Sequence, residues 1–329
     1  MNEIMVSRGF DGIVADITAA NLIETERRGH YSHGLIQFPV IMDKVLSGKL
    51  SCGSQYRVVL EHDNIVVMDG MNGIGYYIGY VAMKTCIQKA KKHGIAIATV
   101  RGSSHFGSGG FYADLAVKEN LIVIAMSNTR PLVSSHIPSQ AIIGTNPISI
   151  GFPLGNDGES RFLLDMSTSV SSLNKIREFA EQNKQIPAGW GIDSDLNPTT
   201  DPHKVLAGGA LLPLGGGHET SGFKGFYIAL MVEIFCSLLS GGKSSLEMNR
   251  DSVNCTHAFI VLDPDFFVGR EAFAEHARQI FKLLKDKVDG IYVPGEKSVS
   301  NDEISVSRRT LNQILHYQSI LAISPDGRP

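Results

Sequence analysis

The stretch Arg101-Gly-Ser-Ser-His105-Phe-Gly-Ser-Gly-Gly-Phe-Tyr112, with Leu121-Ile-Val-Ile-Ala-Met-Ser-Asn-Thr-Arg130-Pro131 and Gly144-Thr-Asn-Pro147 behind it, decides how the chain is read. The β-branched run Ile95 to Val100 predicts a buried strand that delivers His105 into a loop of small residues. Before Phe106 that loop carries no bulky side chain, so a ligand can approach the backbone at Gly107, Gly109 and Gly110. A second apolar run, Leu121 to Met126, ends in Ser127-Asn128-Thr129. Two strand ends that open into polar loops mark a binding site.

Working outward, 329 residues exceed one ordinary domain and leave room for a large core. At 43% hydrophobic and 19% charged the chain reads as globular. A net charge of -3 argues against a nucleic-acid surface, which needs clustered excess Lys and Arg. Cys52, Cys86, Cys236 and Cys255 are scattered, with no CxxC pair, and read as reduced thiols. Glu3, Asp11 and Asp16 are wrong for a signal peptide. The longest apolar run, Ile228 to Leu239, contains Glu233 and is too short to span a bilayer. These features predict a soluble, cytoplasmic protein without a membrane partner.

Apolar spacing predicts a helix from Asp11 to Arg28, stopped by Gly29. His30-Tyr-Ser-His33-Gly34 follows, then a short helix from about Pro39 to Leu46. Two histidines three residues apart, without a third ligand at suitable spacing, do not make a metal site. Tyr56–Leu60 and Asn64–Met68 read as a hairpin. Ile74 to His93 reads as a helix whose basic end suits the helix dipole, with Gly94 as its stop. Further strands are expected near Pro147–Phe152, Phe162–Met166 and Ala258–Leu262, and helices over Val170–Asn183 and Glu271–Lys287. Val293-Pro-Gly295-Glu296 is expected to end a strand-like stretch, with a mostly helical tail beyond it.

Leu163-Leu-Asp165-Met166-Ser167-Thr168-Ser169 places an acid and three hydroxyls at a strand end before a helix, which suits a ribose or phosphate and equally an ordinary N-cap cluster. Lys224 between Gly222 and Gly225 can meet an anion as a point charge. The spacing is not that of a Walker loop, and no GxGxxG follows a strand, so a Rossmann fingerprint is absent.

Taken in order, these blocks resemble the malate/L-lactate dehydrogenase family of the non-Rossmann kind, which includes sulfolactate, ureidoglycolate, diketogulonate and piperideine-carboxylate oxidoreductases. The resemblance rests on Ser32-His33-Gly34, Ser104-His105-Phe106-Gly107, Gly144-Thr-Asn-Pro147, Asp165-Met-Ser-Thr-Ser169, Pro187-Ala-Gly-Trp190, Pro213-Leu-Gly-Gly216, Lys224-Gly225 and Pro294-Gly-Glu296. The N-terminal helix starts later than in a typical member. The resemblance implies an α/β fold in three layers, with a mostly antiparallel, mixed sheet of non-Rossmann type in the cofactor domain, and a homodimer. It also implies NAD- or NADP-dependent interconversion of a small 2-hydroxy acid and its 2-oxo acid.

On this reading His105 and His33 are the catalytic candidates. A histidine near its reference pKa of about 6.5 can protonate the alkoxide that hydride delivery leaves. His105 is favoured as acid/base because its glycine-rich loop leaves room for a substrate, and His33 then orients or polarises. Ser32, Gln37, Thr129 and Arg130 are the substrate-binding candidates. Asp165, Met166, Ser167, Thr168, Ser169, Lys224, Pro294, Gly295 and Glu296 are the cofactor-binding ones, with Asp165 either a contact or an orienting acid. No metal is expected. The expected segments are a helical 1–50, a small α/β 51–105, a cofactor-binding 106–290, and 291–329 returning to the first segments.

One departure stands out. Family members usually carry an arginine three residues after the Ser-His-Gly glycine and a tyrosine four residues further on. Here those positions are Gln37 and Ile41. A neutral amide cannot grip a carboxylate as a guanidinium does, at a cost of about 1.5–3 kcal/mol. Arg130 is the candidate replacement cation. The alternative is a cofactor-binding relative without turnover.

Overall fold

A computed structural model describes residues 1–155, 160–249, 251–296, 304 and 306–319. Its frame is a seven-stranded mixed sheet in the order β1-β2-β3-β10-β4-β5-β6. The strands are β1 (Arg57–Glu61), β2 (Ile65–Asp69), β3 (Ile95–Ser103), β4 (Ile122–Ser127), β5 (Ile148–Pro153), β6 (Arg161–Met166) and β10 (Cys255–Leu262). Only β2 and β3 run parallel; every other neighbouring pair is antiparallel. Three two-residue strands, β7 (Gly191–Ile192), β8 (Pro198–Thr199) and β9 (Ala210–Leu211), make a separate small sheet.

Burial explains the order. β10 is nearly continuous in buried residues and sits at the centre, whereas every residue of β1 is exposed at the edge. Helices α1 (Asn2–Ser7) and α2 (Gly12–Arg27) lead into α3 (Gln37–Leu46). Helix α4 (Gly75–His93) lies on β3 and β10, and α5 (Gly109–Val117) on β4 and β5, with α2 packed on α4. They form one layer over the sheet. Its other face carries α8 (Phe223–Glu233), which continues as a π-helical turn over Ile234–Leu238. Helices α6 (Leu173–Glu181) and α7 (Pro202–Leu206) pack beside the small sheet around Ile176, Val205 and Leu211. α9 (Arg270–Lys287) covers Phe152 and Phe162 through Phe273 and Phe281. α10 (Arg308–Ser319) returns to α3, where the Tyr317 hydroxyl donates to Asp43 and to the Pro39 carbonyl (3.3 Å).

Several boundaries differ from the sequence expectation. α3 starts at Gln37, so Pro39 falls in its first turn, where the missing N–H costs nothing. α6 starts at Leu173, because the Ser172 hydroxyl accepts the Lys175 N–H and caps it. Val170 instead donates its N–H to the Leu212 carbonyl (3.1 Å). Ile291–Val293 forms no strand, and Pro294–Glu296 is a turn docked on the outer edge of β6 by Leu163 N–H to the Pro294 carbonyl (2.9 Å). Of the tail beyond it, Lys297 to Glu303, Ser305 and residues from 320 lie outside the described residues.

Candidate active site

The antiparallel register of β10 brings distant residues together at one end of the central strands. β10 pairs with both β3 and β4, so the end of β3, the end of β4 and the start of β10 are neighbours. From them project Ser104-His105, Ser127 to Arg130, and Cys255 to His257. The loop after α2 supplies the rest. Arg28, just past the helix, pairs with Asp114 of α5 (3.0 Å), which also takes Arg161 of β6 (2.8 Å) and Lys118 (2.9 Å). Burial would raise the Asp114 carboxyl, but its three cations hold it below the usual range. This ion cluster fixes the histidine loop against α5 and β6.

Glu26 shapes that loop. Its Oε2 accepts the Leu35 N–H (2.8 Å), and a Cβ at position 34 would stand only 2.1 Å from it, so any side chain there would displace this carboxylate from its hydrogen bond. Burial raises the Glu26 carboxyl despite the Leu35 hydrogen bond. The turn presents His33, whose Nδ1 lies 2.8 Å from the Ser32 hydroxyl. The Ser32 carbonyl is held from two sides, by Gln37 Nε2 (2.8 Å) and Asn174 Nδ2 (2.7 Å). Gln37 therefore spends an amide hydrogen on the loop itself.

His33 and His105 stack with ring centroids 5.5 Å apart and planes 26° from parallel. The two sequence-predicted histidines are brought together. His105 Nδ1 accepts the Gly107 N–H (3.3 Å) and lies 3.4 Å from the Tyr76 hydroxyl. Gly107 adopts φ +82°, and a Cβ there would meet the Tyr76 ring and Asn21. Burial keeps Tyr76 a neutral phenol, able to donate or accept. Nδ1 thus has a partner in either neutral tautomer, and among the described residues Nε2 has no hydrogen-bond partner. Burial pushes His105 well below its ordinary pKa, and the charges of His33, Lys44 and His257 add to this. Burial also lowers His33; there Asp165 works against the shift and His30 with it.

His257 forms the floor. Its ring sits between the Ser127 and Ser103 hydroxyls, each at 2.9 Å, and stacks on Phe106 at 4.5 Å. Burial pushes its pKa down to about 3.

Asp165 is engaged on both carboxylate oxygens. Oδ2 accepts Ser108 Oγ (2.5 Å) and Gly110 N–H (3.0 Å), Oδ1 accepts Ser149 Oγ (2.5 Å), and His30 Nδ1 stands 3.7 Å away. Met166 and Ser167 are half-buried beyond it. The Thr168 hydroxyl donates toward the Thr145 and Asn146 carbonyls (both 3.1 Å), and Ser169 donates to the Ser171 carbonyl (2.7 Å). Thr129 is likewise engaged, its hydroxyl accepting the Thr145 N–H (3.1 Å) and its N–H donating to Asn146 Oδ1 (3.2 Å). Lys224 is exposed at the start of α8, with Nζ 5.9 Å from the Phe223 ring, and the Pro294-Gly295-Glu296 turn lies on β6. Neither is in contact with the histidine pair.

Sequence reasoning missed Glu233, Ser108, Ser149, Asn174 and Lys44. Glu233, 3% exposed, accepts from Asn128 Nδ2 (3.1 Å), Asn146 Nδ2 (2.8 Å) and the Ser245 hydroxyl, tying the β4 end to the Gly144–Pro147 turn. Its signal was visible as an acid inside an apolar helix. Lys44 lies half-buried on α3, close enough for its charge to act on His105. Among the described residues no three His, Cys, Asp or Glu side chains converge as metal ligands.

The chain is thus a mixed α/β protein, with a seven-stranded sheet covered by helices and a stacked histidine pair near the ends of its central strands. The family model described as malate/L-lactate dehydrogenase matches residues 1–311, and the chain belongs to that family. It is 37% identical over 315 residues to a malate dehydrogenase of Pyrococcus horikoshii, covering 91% of this chain and 87% of that one. An L-sulfolactate dehydrogenase of Methanocaldococcus jannaschii is 32% identical over 315 residues, covering 91% of this chain and 88% of its own length. The crystal structure of malate dehydrogenase from Entamoeba histolytica superposes with a TM-score of 0.91 at 28% identity, over 98% of this chain and 96% of that one.

Proposed function

We propose that the protein is an NAD(P)-dependent oxidoreductase that interconverts a small 2-hydroxy acid and its 2-oxo acid. The observation that carries this reading is the stacked His33–His105 pair, with the Nε2 of His105 left without a hydrogen-bond partner among the described residues. A reduced nicotinamide, when bound, supplies the hydride. His105 Nε2 gives a proton to the substrate oxygen in reduction and takes it back in oxidation, while Gly107 and Tyr76 keep Nδ1 partnered. His33, held by Ser32 and within the field of Asp165, orients the substrate oxygen and limits the charge His105 can carry. Arg130 and Ser32 receive the substrate carboxylate, with Gln37 and Thr129 holding the two loops that present them.

The chain offers donors suited to a dinucleotide. Lys224 is exposed, and no carboxylate pairs with it among the described residues, which fits a phosphate contact; Ser167 keeps a half-exposed hydroxyl for a ribose. Asp165, Met166, Thr168, Ser169 and the Pro294-Gly295-Glu296 turn would then shape the walls. No helix among the described residues is long and apolar enough to cross a membrane. Tyr227, Met231, Ile234 and Leu238 leave an apolar face exposed along α8 and its π turn, which supports a homodimer. The reading places that dimer in the cytoplasm.

Gln37 and Ile41, at positions usually Arg and Tyr, favour one second reading: a relative that binds cofactor without turnover. Titration with NADH and NADPH by fluorescence, followed by a 2-oxo-acid panel, tests both. Binding with turnover is the expected result, binding alone would establish the second reading, and failure to bind either cofactor would remove the first.

A further inference from the structure

Gln37, Ile41 and Lys44 recur at i, i+4 and i+7 and so share one face of α3. The Gln37 end of that face reaches the Ser32 carbonyl beside His33, and Ile41 is buried. Lys44 continues the same face. The Lys49 and Leu50 N–H groups bond its carbonyl at 2.9 and 3.2 Å, so its backbone is fixed. Its ammonium bears electrostatically on His105, Cys255 and Arg130, residues that the sheet register gathers at the ends of β3, β10 and β4.

Among the described residues no carboxylate pairs with Lys44. Adjacent Asp43 is engaged by Tyr317, and Glu233, the acid that bears on Cys255, accepts from Asn128, Asn146 and Ser245. Cys255 itself is a neutral thiol, pushed up to about 12 by burial. Burial lowers the pKa of Lys44; Cys255 works against the shift, and Arg130 and Lys49 work with it. A desolvated cation beside other cations, with no acid to balance it, is costly in the empty protein and favourable once an anion arrives.

We infer that Lys44 is a specificity residue that holds an anionic group of the substrate, restoring from the same helix face the charge missing at Gln37, so that Lys44 and Arg130 together select a 2-oxo acid with a second negative charge. This rests on the 2-oxo-acid reading above. It assigns a carboxylate or sulfonate on the substrate's distal carbon to Lys44, leaving the carboxylate beside the ketone to Arg130.

The test compares oxaloacetate with pyruvate in the wild type, Lys44→Met and Lys44→Arg. Lys44→Met keeps the apolar stem and removes the charge. It should raise KM for oxaloacetate at least tenfold relative to KM for pyruvate with NADH and NADPH affinity unchanged, while any change in kcat from the charge lost beside His105 falls on both acids alike; Lys44→Arg should restore most of the loss. Equal rises in KM for both acids would place Lys44 on the common carboxylate, and unchanged kinetics would make it a packing residue; either overturns the assignment while the dehydrogenase reading stands. Calorimetry with malonate, an inert dianion, separates the two claims. If the wild type turns over neither acid yet binds malonate in a Lys44-dependent way, the dehydrogenase reading falls and the anion site stands. If it neither turns over either acid nor binds malonate, both fall.

Discussion

Two acids, Asp165 and Glu233, and the half-buried Lys44 are treated in opposite ways. Asp165 accepts hydrogen bonds from Ser108, Ser149 and Gly110, and Glu233 from Asn128, Asn146 and Ser245. Each ties together segments far apart in sequence. Lys44, by contrast, acts on His105 through its charge, with no described carboxylate paired to it. The difference separates scaffold from site: a charge whose every partner is internal holds the fold, and a charge left unbalanced is kept for a ligand.

Breaking the scaffold side should give the largest effect. Glu233→Ala leaves one N–H of each of two buried amides and the Ser245 backbone N–H without an acceptor, and should cost about 3–5 kcal/mol of stability, read from the urea midpoint at constant m. A loss below 1 kcal/mol would mean that the carboxylate is not the clip described.

The next effect is on pH dependence. His105 lies well below its ordinary pKa, chiefly through burial. Reduction needs its protonated form, so kcat/KM for the 2-oxo acid should fall up to tenfold per unit as pH rises above a midpoint below 6.5. Oxidation needs the neutral form and should be flat at neutral pH, falling only as pH drops through that midpoint. A reduction rate that rises with pH would reverse the proton assignment.

Gln37→Ala should be milder. Asn174 still holds the Ser32 carbonyl, so a loss of about 1 kcal/mol, a few-fold in kcat/KM, is expected. A loss above a hundredfold would mean that Gln37 touches substrate. The smallest effect sharpens the contrast: Lys44→Met should change stability by no more than about 0.5 kcal/mol, or raise it, since the charge has no described acid to lose. Marked destabilisation, read from the same urea midpoints, would return Lys44 to the scaffold.

Local signals made much of the architecture legible. The run from Ile95 and its exit into Ser104-His105 appear as β3 and the histidine loop, and Gly94 ends α4 with φ +82°. Strong periodicity marked α9. Gly109-Gly110 read as loop, yet they start α5, because packing on β4 and β5 outweighs the cost of glycine in a helix. The two-residue strands of the small sheet are too short to show a period. At the site, both histidines were visible as residues in polar loops, but their stacking depends on pairings between residues 33 and 105 that no local pattern encodes. Asn174 reaches Ser32 across 142 positions, and Glu233 reaches Asn128 across 105. Lys44 looked like one more basic residue near a helix end; only the fold shows what surrounds it.

The most direct test of the central claim is the rate of 2-oxo-acid reduction by His105→Asn, measured beside its affinity for NADH and NADPH. The account predicts a loss of about 10²–10⁴ in kcat with cofactor affinity unchanged, because the proton donor is gone and the fold is intact. Wild-type-like turnover in that variant would contradict it.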